Sequence, residues 1–510
     1  MDGAHALLQT LVANRVDVCF TNPGTSEMHF VAALDDVPEM RAVLTLFEGV
    51  ATGAADGYGR MADRPAATLL HLGPGLGNGV ANLHNARRAH TPIVNIIGDH
   101  ASYHQALDAP LQSDIEAIAR NVSRWVRSSA GPSAVGADAT DAILAALAGG
   151  VATLILPADA SWSDGGVVGP MAARPALLEV ADAEIELAAK ALRGGSAALL
   201  LGGGAVREAG LLAASRIAHA TGAKLLCETF PARLERGAGL PAVERLGYLA
   251  EFAVAQLQGV QHLVLVDAKA PVSFFAYPDK PGDLVPAGCE LLDLVPAGHD
   301  PALALAQLAA ALGAPEDAAA RVPAGRPERP TGALTAESAA AAVGALLPEG
   351  AIVSDEANTA GLFASGATAG APRHSWLTLT GGAIGQGMPV AAGAAVACPD
   401  RPVVNLQADG SAMYTLQSLW TQAREALDVT TVVFNNRAYA ILNLELSRVG
   451  ARTDGNAADL FDLSRPPLDF VELAAGMGVP GVRATTADEL VEGLERAFAE
   501  PGPHLIDAVL

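Results

Sequence analysis

Positive charge is scarce in this chain: 32 Lys and Arg stand against 55 Asp and Glu, a formal net charge of −23. Binding a polyphosphate backbone takes clustered cations, so nucleic acid is not an expected partner. Cysteine is scarcer still, with only Cys19, Cys227, Cys289 and Cys398, none of them spaced as CxxC. That excludes a disulfide framework and a structural zinc site, and a reducing cytoplasm is the expected compartment. No apolar run reaches 18 residues and no basic leader opens the chain, so neither a membrane span nor a signal peptide is expected. What is abundant is small and apolar: 51% hydrophobic residues, 53 Gly and 32 Pro in 510 residues. This is the composition of a globular α/β enzyme with many tight turns, long enough for about three domains at roughly 150 residues each.

Short apolar runs alternate with helix-patterned stretches from the start. The runs 16–20, 41–46, 67–72, 92–97 and 153–156 each lead into a Gly-rich or polar loop, which predicts a doubly wound parallel sheet over 1–165. A second unit over 180–312 has strands predicted at 197–201, 224–227 and 262–266. Residues 313–332, rich in Pro, Ala, Gly and Arg without periodicity, read as a linker. A third unit over 333–510 has strands predicted at 351–354, 403–408, 430–434 and 504–509, and its layout resembles that of the first.

In the third unit the run 402–408 ends at Asp409-Gly410-Ser411, followed by helical spacing over 413–426; the next strand ends at Asn435-Asn436. Neighbouring parallel strands finish on the same sheet edge, so Asp409 and Asn436 can meet although 27 positions apart. A carboxylate, an amide oxygen and backbone carbonyls are hard ligands suited to Mg²⁺ that also takes phosphate oxygens, and Ser411 would offer a helix start to the anion. Two turns that merely punctuate strands would read the same, so a second signal is needed. It lies in Phe47-Glu48-Gly49 and the Ala- and Gly-rich helix that follows, where Glu48 is either a charge complementing the helix dipole or a functional buried acid.

Asp409-Gly410, the 24 residues 411–434 beginning with Ser411, and Asn435-Asn436 resemble the thiamin-diphosphate motif, with Ala408 in place of its first Gly. The sequence around Glu48 resembles the E-x(5)-A-x-G-Y pattern of the same enzymes. The chain is therefore similar over its whole length to the thiamin-diphosphate-dependent 2-oxo acid enzymes of the acetolactate synthase and benzoylformate decarboxylase branch. The resemblance implies three doubly wound α/β domains, named pyrimidine, middle and diphosphate, and a homodimer or homotetramer whose cofactor lies between subunits. It implies Asp409, Asn436 and the main-chain oxygen of Ala438 as Mg²⁺ ligands, and Glu48 as the carboxylate that hydrogen-bonds the aminopyrimidine. The loop 381–389 would hold the cofactor bent, with Gly382 accepting from its amino group and Ile384 as the wedge. Glu356, Asn358, Thr359, Gly410 and Ser411 fall at diphosphate-side positions.

Around the substrate, Thr25 and His71 match the hydroxyl residue and the histidine that hold the carboxylate and shuttle protons in benzoylformate decarboxylases. Leu111, beside Asp108-Ala109-Pro110, and Glu445 fall at pocket positions. An acid at 445, where relatives carry an aromatic, suits a polar or cationic substrate tail. Ala276 stands where benzoylformate decarboxylases supply a second histidine. Gly202-Gly203-Gly204 resembles the FAD-holding segment of acetolactate synthases, although a Gly-rich turn after a strand is common, and flavin is the weaker expectation. The expected activity is decarboxylation of a small-molecule 2-oxo acid with thiamin diphosphate and Mg²⁺, ending in an aldehyde or in carboligation. An FAD-containing acetolactate synthase and a non-catalytic cofactor-binding paralogue are the alternatives left open.

Overall fold

The computed structural model describes residues 1–278, 280–452 and 455–510. Three sheets organise them. The first holds β1 (Val18–Thr21), β2 (Arg41–Leu44), β3 (Ala66–His71), β4 (Ile93–Asp99), β5 (Trp125–Ser128) and β6 (Val151–Pro157), in the order β2-β1-β3-β4-β6-β5. The second holds β7 (Ala197–Leu201), β8 (Lys224–Cys227), β10 (Glu244–Arg245), β11 (His262–Val266) and β12 (Glu290–Val295), in the order β10-β8-β7-β11-β12. The third is β17-β18-β16-β15-β13-β14-β9, built from β9 (Leu234–Arg236), β13 (Ile352–Glu356), β14 (His374–Thr378), β15 (Val403–Ala408), β16 (Val429–Asn435), β17 (Gly481–Ala484) and β18 (His504–Val509).

Among the described residues, the strands of these three sheets pair in parallel except β14 with β9. Read from the β14 side and without β9, the third sheet repeats the strand order of the first, so the two units share one winding around a different middle. The central strands are buried along their length, as helix-covered parallel strands must be. Strand β9 has no forewarning in its Leu-Glu-Arg sequence, because its partner belongs to another unit. The single helix expected over 413–426 is instead a short turn, Asp409–Ala412, and a separate helix, Ser418–Arg424. Among the described residues no helix is long and apolar enough to cross a membrane, and none of the four cysteines is paired.

The first and third units are joined by two helices, Glu48–Ala62 and Gly387–Ala397, whose backbones touch. A Cβ on Gly57 would lie 2.0 Å from the Val390 carbonyl oxygen, and one on Gly393 would lie 1.8 Å from that of Ala54. One hydrophobic cluster runs through this contact, from Val43 and Ala54 to Val390, Ile352 and Val429. A buried ion pair adds direction. Asp56 and Arg60, with side chains 0% and 1% exposed, meet at 2.6 Å, and Asp56 also accepts from Gln386 Nε2 at 2.6 Å. Arg60 donates to the Thr378 carbonyl at 2.8 Å. Every charge in this network is answered by a partner, the condition for burying it at all.

Gly393→Ala should cost about 1–3 kcal/mol or more, since the added carbon meets backbone rather than a flexible side chain. Gly77→Ala, on an exposed helical position with nothing within 4 Å of the new carbon, should instead be neutral or stabilise by up to about 1 kcal/mol. Thermal unfolding of the two variants should move in these different senses.

Candidate active site

Both repeated sheets change winding direction between their first and third strands, and loops that leave a parallel sheet there form its binding crevice. In the first sheet these are the loops after β1 and β3. Glu48 opens the next helix along the chain and is 6% exposed. One carboxylate oxygen accepts from Asn78 Nδ2 at 3.0 Å. The other faces Gly75, where a Cβ would stand 3.1 Å from Glu48 Oε1 and 3.4 Å from His71 Cβ. Glu48 and His71 thus converge on Gly75, where even a methyl group would crowd the carboxylate.

His71 is the last residue of β3, and Glu27, 3% exposed, holds it from behind: Oε2 lies 3.0 Å from His71 Nδ1. Glu27 also accepts the Gly24 N–H at 2.7 Å and the Ser26 hydroxyl. A carboxylate on Nδ1 keeps the proton there and leaves Nε2 as the free nitrogen. The hydroxyl next to His71 is that of Ser26, 3.1 Å from Nδ1, whereas Thr25 is exposed on its short 3₁₀ turn. Neither Glu27 nor Ser26 was singled out in the sequence, because only the β1–β3 pairing brings their loop to His71.

The corresponding crevice of the third sheet collects the second group. Asp409 follows β15 and Asn435-Asn436 ends β16, its neighbour, with Ala408 opposite Phe434. Asp409 is 2% exposed, and its oxygens accept the N–H of Gly410 at 2.7 Å and of Arg437 at 2.6 Å. Burial raises its pKa above the ordinary carboxylate range, a cost that a bound cation would offset. Asn436 Oδ1 accepts the Ala438 N–H at 3.0 Å, so the loop that would present the Ala438 carbonyl is preformed. Gly410 lies under the Tyr439 ring, which leaves no room for a Cβ. Among the described residues no cluster of three or more His, Cys, Asp or Glu exists, so the donors here are one carboxylate, one amide and carbonyls. That set fits Mg²⁺ shared with phosphate oxygens.

Ser411 accepts from Asn358 Nδ2 at 3.0 Å, which draws the loop after β13 toward the loop after β15. Asn358 takes φ 51°, a left-handed conformation that Asn tolerates better than most residues, and Thr359 beside it is half-buried. Gly382 also has positive φ, 75°, with open space at its Cβ position, and Ile384 is partly exposed nearby. Glu356 has a different task from the one expected. It is buried, and its oxygens accept from the N–H groups of Gly385, Gln386 and Gly387 and from Gln407 Nε2, at 2.7 to 3.2 Å. It builds the 381–387 loop instead of meeting a ligand. Asn85 fastens the same loop from the first unit, donating to the Ala383 carbonyl at 2.8 Å, and Asn82 donates to both Gly385 and Gly49.

Two further expectations change. Glu445 is already engaged: it accepts from the Tyr277 hydroxyl and lies 3.4 Å from Arg448 Nε, while Arg448 pairs with Glu251 and stacks on Tyr277. With its charge answered inside the chain, the reason to expect a cationic substrate tail disappears. Leu111 is 39% exposed on a turn. At the winding switch of the middle sheet, Gly204 N–H donates to Asp267 Oδ2 at 2.8 Å, and Glu228 lies against Gly202. A turn whose donor is spent on a carboxylate, with a second carboxylate alongside, does not fit a flavin diphosphate.

The N-terminal TPP binding domain of thiamine pyrophosphate enzymes matches residues 1–119, and their C-terminal TPP binding domain matches 359–508. A Mycobacterium tuberculosis protein with the provisional name acetolactate synthase large subunit IlvX is 62% identical, covering 100% of this chain and 99% of its own. The chain belongs to the thiamine-pyrophosphate enzyme family. Benzoylformate decarboxylase of Pseudomonas aeruginosa is 30% identical over 96% of this chain and 95% of its own length. Among solved structures, the 4-hydroxybenzoylformate decarboxylase of Rhodococcus jostii RHA1 shares the fold with a TM-score of 0.85 at 24% identity, covering 100% of this chain and 99% of its own. This chain is accordingly a thiamin-diphosphate enzyme of the acetolactate synthase and benzoylformate decarboxylase type, with Glu48 and His71 in its N-terminal TPP binding domain and Asp409 to Ala438 in its C-terminal one.

Burial, reinforced by the charge of Asp267, pushes Glu228 up to about 7. An acid raised in the folded state contributes stability below its unfolded value, near 4.5, that is lost as pH rises toward about 7. Glu228→Gln should therefore flatten the fall in unfolding midpoint between pH 4.5 and 7. An equally steep fall in the variant would remove Glu228 from this role.

Proposed function

We propose that this enzyme uses thiamin diphosphate and Mg²⁺ to decarboxylate a small 2-oxo acid and releases an aldehyde. The observation that carries the reading is the convergence on Gly75 of a buried Glu48 and of a His71 that Glu27 holds at Nδ1. The chemistry that bound thiamin diphosphate supplies is nucleophilic addition to a keto carbon and a sink for the electron pair CO₂ leaves behind.

The chain's own residues hold and move protons around that chemistry. Glu48, kept from solvent, would hydrogen-bond the aminopyrimidine, with Asn78 fixing its second oxygen. Gly382 and Ile384, on the 381–387 loop, would hold the cofactor's ring portion. Asp409, Asn436 and the Ala438 carbonyl would hold Mg²⁺, and Gly410, Ser411, Asn358 and Thr359 would hold the diphosphate. With Nδ1 held by Glu27, His71 Nε2 would take up a proton from solvent, orient the substrate carboxylate through it and return it to the product carbon, with the hydroxyls of Thr25 and Ser26 on the adjoining loop. A positioned proton donor favours aldehyde release over attack on a second carbonyl. Leu111 is retained as a wall of the pocket. The working unit is a homodimer or homotetramer in the cytoplasm, the pyrimidine unit (1–165) of one subunit closing on the diphosphate unit (333–510) of another, with the middle unit spanning 180–312.

The test is CO₂ release and product analysis with thiamin diphosphate and Mg²⁺ over pyruvate, benzoylformate, and branched and basic 2-oxo acids. Aldehyde supports the proposal, and acetolactate from pyruvate replaces it with a synthase. A yellow, flavin-loaded protein points to the FAD-containing synthase, and cofactor binding without turnover points to a non-catalytic paralogue. Glu48→Gln should lower kcat about a hundredfold or more while cofactor binding, followed by fluorescence quenching, persists. Asp409→Ala should instead lose Mg²⁺-dependent cofactor affinity in the same titration.

A further inference from the structure

The third sheet has a second end. Opposite the strand ends that carry Glu356 and Asp409, residues that lead into β13, β14 and β15 border a cavity of about 240 Å³. Three arginines line it, each from a different segment: Arg233 before β9, Arg373 before β14 and Arg401 before β15. This is an unusual concentration of cations in a chain of net charge −23.

Two of the three charges are answered. Arg233 meets Glu235 at 2.6 Å, and Arg373, half exposed at the rim, meets Glu208 at 2.8 Å. Arg401 is different. Its Nε donates to the Gly350 carbonyl at 2.6 Å, and its Nη2 to the Ala351 carbonyl and the Ser375 hydroxyl. Among the described residues no carboxylate lies within ion-pair distance of it, and none takes its Nη1 hydrogens. Arg233 has spare capacity too: its Nε is buried without a partner. A partly buried guanidinium without a counter-ion is costly, and an anion drawn from solvent removes that cost.

We propose that this cavity binds a phosphate-type oxyanion, held by the open side of Arg401 with Arg233 and Arg373. Donors from three separate segments suit a tetrahedral anion with several acceptor oxygens better than a two-oxygen carboxylate, and guanidinium is the side chain best matched to it. The anion is either free phosphate or the phosphate of a small monoester. Arg233 also donates to the carbonyls of Arg60 and Met61, at the far end of the helix that begins with Glu48. An occupied cavity therefore braces the junction of the first unit with the third and raises the stability of the folded chain.

The experiment uses holoenzyme loaded with thiamin diphosphate and Mg²⁺, so that the diphosphate site is filled. Inorganic phosphate, and separately glycerol phosphate, are titrated by calorimetry, with the unfolding midpoint read in parallel. The expected result is saturable binding of one anion per chain and a raised midpoint. Binding of phosphate alone identifies the free ion, and binding of both identifies the monoester. Arg401→Gln should abolish binding. Arg373→Glu, at the half-exposed rim, should weaken it tenfold or more without changing turnover, and it keeps the test decisive if Arg401→Gln does not fold. No saturable binding to holoenzyme, binding only when thiamin diphosphate is left out, or affinity unchanged in Arg373→Glu would each overturn the proposal.

Discussion

The architecture depends on how closely two helices approach. The helix that begins at Glu48 and the helix that begins at Gly387 cross with backbone against backbone, at Gly57 on Val390 and Gly393 on Ala54. Each starts at a strand-end crevice, one behind the carboxylate at 48 and the other behind the 381–387 loop. Their closeness holds Glu48 and the 381–387 loop of one chain in a rigid frame, with Asn82 bonded to both sides. Any bulk at the crossing would push the two crevices apart, and for this reason both helices are made almost wholly of Gly, Ala and Val where they face each other.

Around this frame the buried carboxylates divide the work. Asp56 spends its charge on Arg60 and Gln386, which locks the crossing. Glu356 spends its oxygens on three loop N–H groups. Glu27 is turned toward His71. Glu48 keeps one oxygen beside Gly75 with no donor on it among the described residues, and Asp409 accepts from the backbone N–H groups of Gly410 and Arg437. Residue type alone does not distinguish these five acids; their hydrogen-bond partners do.

The same contrast separates the sheets. The first and third wind identically and both put their chemistry at the switch between their first and third strands. The middle sheet has a switch as well, but Asp267 and Glu228 fill it with negative charge. A crevice of the right topology is thus not by itself a site, and the Gly-rich turn at 202–204 is closed by a residue more than sixty positions away.

Much was legible in the linear chain because local pattern carries it. Buried parallel strands read as apolar runs, so β7, β8, β11, β15 and β18 lie where their runs predict them, and Glu48, Asp409 and Asn436 stand out by their place at strand ends. The spacing of Asp409 and Asn436 needed only adjacent parallel strands to become a site. Tertiary structure alone decided the rest. It brought Ser26 and Glu27 to His71, turned Glu356 onto the loop and Glu445 onto Tyr277 and Arg448, and set β9 into a sheet of another unit. The physical reason is common to all of these. A hydrogen-bond partner or ion pair is chosen by distance in space, and a side chain's neighbours across a sheet edge or a domain junction leave no mark in the residues beside it in the chain.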